Sequence, residues 1–158
     1  MSRRFPVTPA TILLRKENVE FKEHLYDYRR SGAAIAAYQM GVDKHSTIKT
    51  LVMEDENRHP LIVLMHGDRQ VSTNKLAKQL GVKRVSQCSP RDAQRHSGYN
   101  VGGISPFGTR KKLPVYVEKT ILDLPLIYIN AGRRGYIVSM KSNDLVRVLN
   151  PILVSVGR

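Results

Sequence analysis

Tryptophan is absent from this 158-residue chain, cysteine occurs once, at Cys88, and phenylalanine three times. A single thiol excludes an internal disulfide framework and fits a reducing compartment, so the expected location is the cytoplasm. No apolar run approaches the length of a bilayer span, and no strongly basic amphipathic helix is evident, so no membrane partner is expected. The first residues, MSRRFPVTPA, carry arginines without an apolar stretch and do not read as a secretory signal. The five histidines, His24, His45, His59, His66 and His96, are scattered, without metal-ligand spacing, and no metal or other cofactor is expected. There is no GxSxG elbow, and GGISPFG lacks the Gly-Lys-Ser/Thr ending of a phosphate-binding loop. Cys88 precedes a helix start, yet no paired histidine marks it as a nucleophile.

Acidic residues are also scarce. Thirteen Asp plus Glu stand against 26 Lys plus Arg, a formal net charge of +13. That excess favours a polyanionic partner, and its spread along the chain indicates a folded basic face rather than a basic tail. The length suits one domain over residues 1–158 with a sizeable core.

Local signals alternate between short helices and short strands. Thr8-Pro9 reads as an N-cap followed by proline at the first helical position. Phe21 to Tyr28 changes to a strand period, with Tyr26 near its end. Ser31-Gly32 opens an alanine-rich helix, Ala33 to Met40. Thr47–Glu54 and Leu61–Met65 read as a hairpin across a polar turn. Ser72 caps a helix ending at Gly81, Val82–Val85 reads as a short strand, and Ser89-Pro90 opens a helix ended by Gly98. Leu126–Ile129 and Tyr136–Met140 are strands around a glycine-punctuated basic turn, Asn130–Gly135. Ser142 caps a last helix, Asn143–Leu149, before a final strand, Ile152–Val156. Such mixing predicts an α+β fold.

The most distinctive stretch runs from Gly98 to Thr120. It carries Gly102-Gly103-Ile104, a turn at Ser105-Pro106, Gly108, the basic run Arg110-Lys111-Lys112, and a β-rich segment, Leu113–Val117. Glycines let a ligand approach backbone N–H groups, and the basic run suits an anion. Lys49 lies inside the apolar strand and reads either as a solvent-facing residue or as a cation aimed into a pocket. Tyr26 and Tyr99 read either as packing residues or as ligand contacts.

Taken together, these segments resemble the YbaK/EbsC family of aminoacyl-tRNA deacylases, related to the editing domain of bacterial prolyl-tRNA synthetases. The resemblance runs through Thr8-Pro9-Ala10, the Phe21…Tyr26 strand, IKTL at 48–51, KLAKQLG at 75–81, GYNVGGISPFGTRKKLPVYVE at 98–118 and IYINAGRRG at 127–135. It implies an α+β fold on a mixed, barrel-like β-sheet with short flanking helices. It also implies trans-editing hydrolysis of mischarged aminoacyl-tRNA, foremost Cys-tRNA(Pro), by water or by cyclisation of the substrate's own thiol in a lyase-type reaction. Lys49 is the implied catalytic residue. Tyr26, Thr50, Gly102, Gly103, Ile104, Asn130, Ala131 and Gly132 are the implied substrate contacts. Arg110, Lys111, Lys112, Arg133 and Arg134 are read as tRNA contacts, and prolyl-tRNA synthetase as a partner. The chain departs from the family pattern at Ile137, where well-known members carry aspartate, and in the stretch around Ile35, where they carry phenylalanine. The alternative reading is a catalytically impaired member acting as a tRNA-binding or regulatory protein.

Overall fold

The computed structural model of the protein describes residues 4–29, 37 and 39–158. The expected Ala33–Met40 helix, its start at Ser31-Gly32 and Ile35 within it fall for the most part outside the described residues. In chain order the elements are α1 (Pro9–Lys16), β1 (Phe21–Leu25), β2 (Thr47–Asp55), β3 (Pro60–His66), α2 (Thr73–Leu80), β4 (Val85–Gln87), α3 (Pro90–Ser97), β5 (Val115–Glu118), β6 (Leu126–Arg133), β7 (Tyr136–Lys141), α4 (Asn143–Leu149) and β8 (Ile152–Val154). Short 3₁₀ turns precede β2, at Lys44–Ser46, and follow β5, at Lys119–Asp123. None of the described helices is long and apolar enough to cross a membrane.

The eight strands form one mixed sheet in the order β1-β7-β6-β2-β3-β5-β8, with β4 paired to β2. Antiparallel pairs join β1 to β7, β7 to β6, β2 to β3 and β2 to β4, whereas β6–β2, β3–β5 and β5–β8 are parallel. The fold is therefore α+β with a mixed sheet, and the sheet stays open between β1 and β8. The run Leu61–Met65 shows no polar alternation because β3 is covered on both faces. Ile62 and Leu64 join one core with α1, α3, α4, Ile127 and Ile129. Leu61, Val63 and Met65 join a second core under Leu76 and Ala77 of α2.

Several local readings change. The short strand expected at Val82–Val85 lies at Val85–Gln87, where it pairs with Met53–Asp55. Asn130–Arg133, expected as a turn, belongs to β6, with a register shift before Arg133. Ser142 stands at the N-cap position of α4, but its hydroxyl donates to the Leu124 carbonyl and does not cap the helix. Thr8 does cap α1: its Oγ1 accepts from the Thr11 N–H (3.1 Å) and donates to the Ala131 carbonyl (2.6 Å), tying the helix to β6. Thr8→Ala removes both bonds and is expected to cost about 1–2 kcal/mol, read as a lower urea midpoint. An unchanged midpoint would show that neither bond stabilises the fold.

Candidate active site

The two edges of β2 differ. Its odd-numbered residues bond toward β3: Asp55 N–H donates to the His59 carbonyl (3.2 Å) and Gly67 N–H to the Thr47 carbonyl (2.6 Å). Its even-numbered residues turn their peptide groups to the opposite edge. There Cys88 N–H meets the Val52 carbonyl at 3.0 Å. On that edge β6 pairs only with Thr47 and Ile48, and β4 begins at Met53. The sheet forks between them, leaving the Thr50 N–H and C=O directed at no strand among the described residues.

A cavity of about 510 Å³ fills the fork, a size typical of small-molecule sites. Of the residues singled out from sequence, Tyr26, Lys49, Thr50, Gly102, Ile104, Asn130 and Arg134 line it, together with Ile137. Gly103, Gly132 and Arg133 line a smaller neighbouring cavity of about 270 Å³, which shares Tyr28 and Arg134 with the first. Ala131 lines neither; it is fully buried, its carbonyl held by Thr8. Tyr28, Tyr128 and Cys88 also line the larger cavity. Period-two spacing from Asn130 along β6 is the signal that points to Tyr128, whereas Tyr28 lies in the turn beyond β1.

Lys49 and Thr50 leave β2 on opposite faces, and both reach the cavity because the fork exposes the strand. The Lys49 ammonium donates to the Arg69 carbonyl, in the turn after β3. Burial, and then the charge of Lys44, lower its pKa, against the pull of Asp68. An ammonium has three N–H donors, so this bond orients the group and leaves two. Among the described residues Thr50 Oγ1 is buried without a hydrogen-bond partner, an arrangement that costs free energy unless a ligand completes it.

The glycine loop presents fewer donors than its sequence suggests. Gly103 N–H donates to the Asn100 carbonyl (2.9 Å), and Gly132 N–H to Asn130 Oδ1 (2.7 Å). Asn130 Nδ2 in turn donates to the carbonyls of Gly102 (3.1 Å) and Arg133 (3.2 Å). Asn130 is thus a brace between the loop and β6. The loop is also seated closely: a Cβ on Gly132 would meet the Tyr99 ring at 2.7 Å, and one on Gly108 the Pro9 carbonyl at 2.6 Å. Tyr99 is a packing residue here, its hydroxyl donating to the Phe107 carbonyl.

The Cys88 thiol is pushed up to about 11, by burial first and then by the charges of Glu54 and Asp92. It is a protonated thiol at neutral pH, unsuited to nucleophilic attack. His45, His66 and Asp68 come within metal-ligand range of one another. The two imidazoles, however, stack face to face at 3.7 Å with planes 7° apart. In-plane lone pairs on parallel rings cannot converge on one ion. His66 is further engaged at both nitrogens: Nδ1–H donates to the His45 carbonyl (2.8 Å) and Nε2 accepts from Thr120 (2.7 Å). His45 Nδ1 holds Asp68 at 2.9 Å. The cluster fixes the turn that carries Arg69.

Basic side chains surround the loop. Arg134 sits 5.2 Å over the Tyr28 ring. Arg110, Lys112 and Arg133 are exposed. Lys111 is also exposed, but its ammonium donates to His96 Nδ1 at 3.0 Å. His96 is buried, and burial followed by the Lys111 charge keeps its pKa low.

Comparison with known proteins places this geometry. Residues 30–148 match the model of the aminoacyl-tRNA editing domain. EbsC of Enterococcus faecalis, provisionally assigned as a Cys-tRNA(Pro)/Cys-tRNA(Cys) deacylase, is 27% identical over 145 residues, 90% of this chain and 88% of that protein. The multifunctional Ser/Thr-tRNA deacylase ProXp-y of Escherichia coli is 31% identical over 103 residues, 65% of this chain and 61% of that protein. Among solved structures, a protein provisionally assigned as a trans-editing enzyme for prolyl-tRNA synthetase superposes with a TM-score of 0.83 at 19% identity, covering 97% of this chain and 99% of that one. A sheet forked beside IKTL and closed over by the GYNVGGISPFG loop, in a chain matched by that model over most of its length, belongs to the aminoacyl-tRNA editing domain family.

Proposed function

We propose that the protein is a trans-acting deacylase that hydrolyses the ester of mischarged aminoacyl-tRNA, with Cys-tRNA(Pro) as the first substrate to test. The observation that carries this reading is the sheet fork, where the charge of Lys49 and the hydrogen-bonding groups of Thr50 meet in one cavity. An aminoacyl ester is already activated, so the site needs to hold it and stabilise a developing oxyanion. Thr50 N–H and Oγ–H, with the Lys49 ammonium, are the donors assigned to that oxyanion. The protonated Cys88 is consistent with water as the attacking group. In a cysteinyl ester the substrate thiol can attack instead: the sulfur bonds to the carbonyl carbon, the ester C–O bond breaks, and the ribose hydroxyl leaves with the thiol proton. The name of EbsC supports cysteine as the acyl group, and that of ProXp-y supports small hydroxylated residues. A separate editing step suits amino acids too similar in size for a synthetase to reject.

Under the same reading the chain acts as one unit in the cytoplasm, and prolyl-tRNA synthetase is the synthetase whose errors it clears. Arg110, Lys112, Arg133 and Arg134 are assigned to tRNA phosphates, and Lys111 to bracing the loop through His96. The test is a panel of mischarged tRNAs incubated with purified protein. Release of one amino acid well above the buffer rate is expected; tRNA binding with no release across the panel would select the non-catalytic alternative. Binding is expected to weaken with salt, and Arg110→Ala with Lys112→Ala to reduce the log–log salt slope by about 1–2. Lys111→Ala is expected to change that slope less than either, and a slope that ignores all three would remove them from the interface.

A further inference from the structure

Glu118 is a buried carboxylate that the proposed chemistry does not use. It closes β5 with 3% of its surface exposed, lines neither cavity, and forms no ion pair among the described residues. A charge buried without a cation is costly unless hydrogen bonds to it offset the lost hydration. Here separate oxygens accept from two main-chain donors just beyond β8, the Val156 N–H (2.7 Å) and the Gly157 N–H (3.0 Å). Gly157 is wedged at this junction: a Cβ on it would lie 2.6 Å from Glu118 Oε2 and 3.3 Å from Arg69 Cδ.

The residues that Glu118 holds form a short antiparallel ladder with the segment leaving β3. Gln70 N–H donates to the Arg158 carbonyl (3.0 Å), Arg158 N–H donates to the Gln70 carbonyl (2.8 Å), and Ser72 N–H donates to the Val156 carbonyl (2.7 Å). Val71 faces Gly157 between them. The first of these bonds bears directly on the fork. The Gln70 N–H and the Arg69 C=O belong to one peptide unit, which is planar and trans, so the two groups point in opposite directions. Fixing the N–H on Arg158 therefore aims the Arg69 carbonyl the other way, and there it accepts from the Lys49 ammonium. The near side of the turn is braced independently: Arg69 N–H donates to the His66 carbonyl (3.1 Å), and Thr120 holds the His66 ring (2.7 Å).

We infer that Glu118 is a positioning residue of the active site: it anchors residues 156–158, whose ladder sets the Arg69–Gln70 peptide and so aims the carbonyl that orients Lys49. This rests on the deacylase reading and on the role given there to Lys49. The experiment is a double-mutant cycle in the full chain. Glu118→Gln keeps the side-chain volume, but one of the two accepting oxygens becomes an NH₂ group, and one main-chain N–H loses its partner. With cysteinyl-tRNA(Pro), or the panel ester that turns over fastest, it is expected to lower kcat by about 10–100-fold and to leave KM within about twofold. In the Lys49→Ala background the same change is expected to lower kcat by less than about twofold, because the group it positions is gone. Equal losses in both backgrounds would make Glu118 a residue of the fold alone and overturn the inference. Titration of the Lys49 side chain by NMR, without substrate, gives a reading that needs no turnover. A carbonyl acceptor stabilises the ammonium, so loss of its alignment is expected to move the Lys49 midpoint to lower pH. Gly157→Ala keeps the carboxylate but presses on the same junction, and is expected to shift the midpoint in the same direction. A midpoint unmoved in both variants overturns the inference. A shifted midpoint in a protein inert to the whole panel leaves the positioning of Lys49 standing while the deacylase reading falls.

Discussion

Replacing Lys49 with alanine is expected to lower kcat/KM for aminoacyl-tRNA hydrolysis by about 10²–10³-fold, the usual cost of deleting one preorganised donor at an oxyanion. The side chain is half-buried on β2, and its ammonium is oriented by the Arg69 carbonyl. That turn is itself fixed: Gly67 N–H donates to the Thr47 carbonyl at 2.6 Å, and His45 holds Asp68 at 2.9 Å. On the proposed mechanism the charge is therefore already in place, without reorganisation, when the ester carbonyl becomes negative. Most of the loss should fall on kcat, because the phosphates are assigned to arginines elsewhere. Lys49→Arg keeps the charge but replaces a compact ammonium with a planar fork, so an intermediate rate is expected. Single-turnover release of labelled amino acid measures the effect, with a thermal melt to show that the fold persists. Turnover undiminished in Lys49→Ala would remove the lysine from the mechanism.

Gly103→Ala is expected to be nearly as damaging, by a different route. A Cβ there would lie 2.8 Å from the Arg134 nitrogen and 2.9 Å from the Arg133 Cα and carbonyl carbon. These are backbone atoms on the other wall of the site, so neither side can yield alone. The loop must lift away from β6, disturbing the Asn130 bond to the Gly102 carbonyl. A shift of about 1 Å at a positioning wall can cost 10²-fold in rate, and overpacking of this kind costs about 1–3 kcal/mol of stability. Gly102→Ala is a useful contrast. Its nearest neighbours are Arg134 side-chain atoms at 3.0–3.4 Å, which can swing aside, and its penalty comes from a φ of +94°. Activity assays and urea midpoints of both variants separate the two causes. A Gly103→Ala protein with wild-type rate and midpoint would mean that the walls are not pressed together in solution.

The elements with local signals were legible in the sequence. Thr8-Pro9, Ser72 with Gly81, and Ser89-Pro90 with Gly98 each mark a helix, because caps and left-handed glycines are decided within a few residues. The Thr47–Met65 hairpin was legible for the same reason. The fork was not, since it depends on where β6 leaves β2 and where β4 joins, and neither is written in β2 itself. Asn130–Gly135 read as a turn from its glycines, while Asn130 Oδ1 holds the Gly132 and Arg133 N–H groups and carries the strand across the irregularity. Lys49 shows the same limit: its neighbours describe a strand, and its partner lies twenty residues away in the turn beyond β3.

The fork also bears on how such a protein can diverge. Its donors and acceptor at Thr50 include main-chain groups that no strand among the described residues pairs, and no substitution short of proline deletes them. Ile104, Tyr128 and Ile137, which line the same cavity, lie on other segments. On the proposed function, a lineage built this way can trade one acyl specificity for another by single substitutions on the far wall while the β2 edge is inherited unchanged. The change it cannot survive is an extra residue of β2–β6 pairing, which would close the seam.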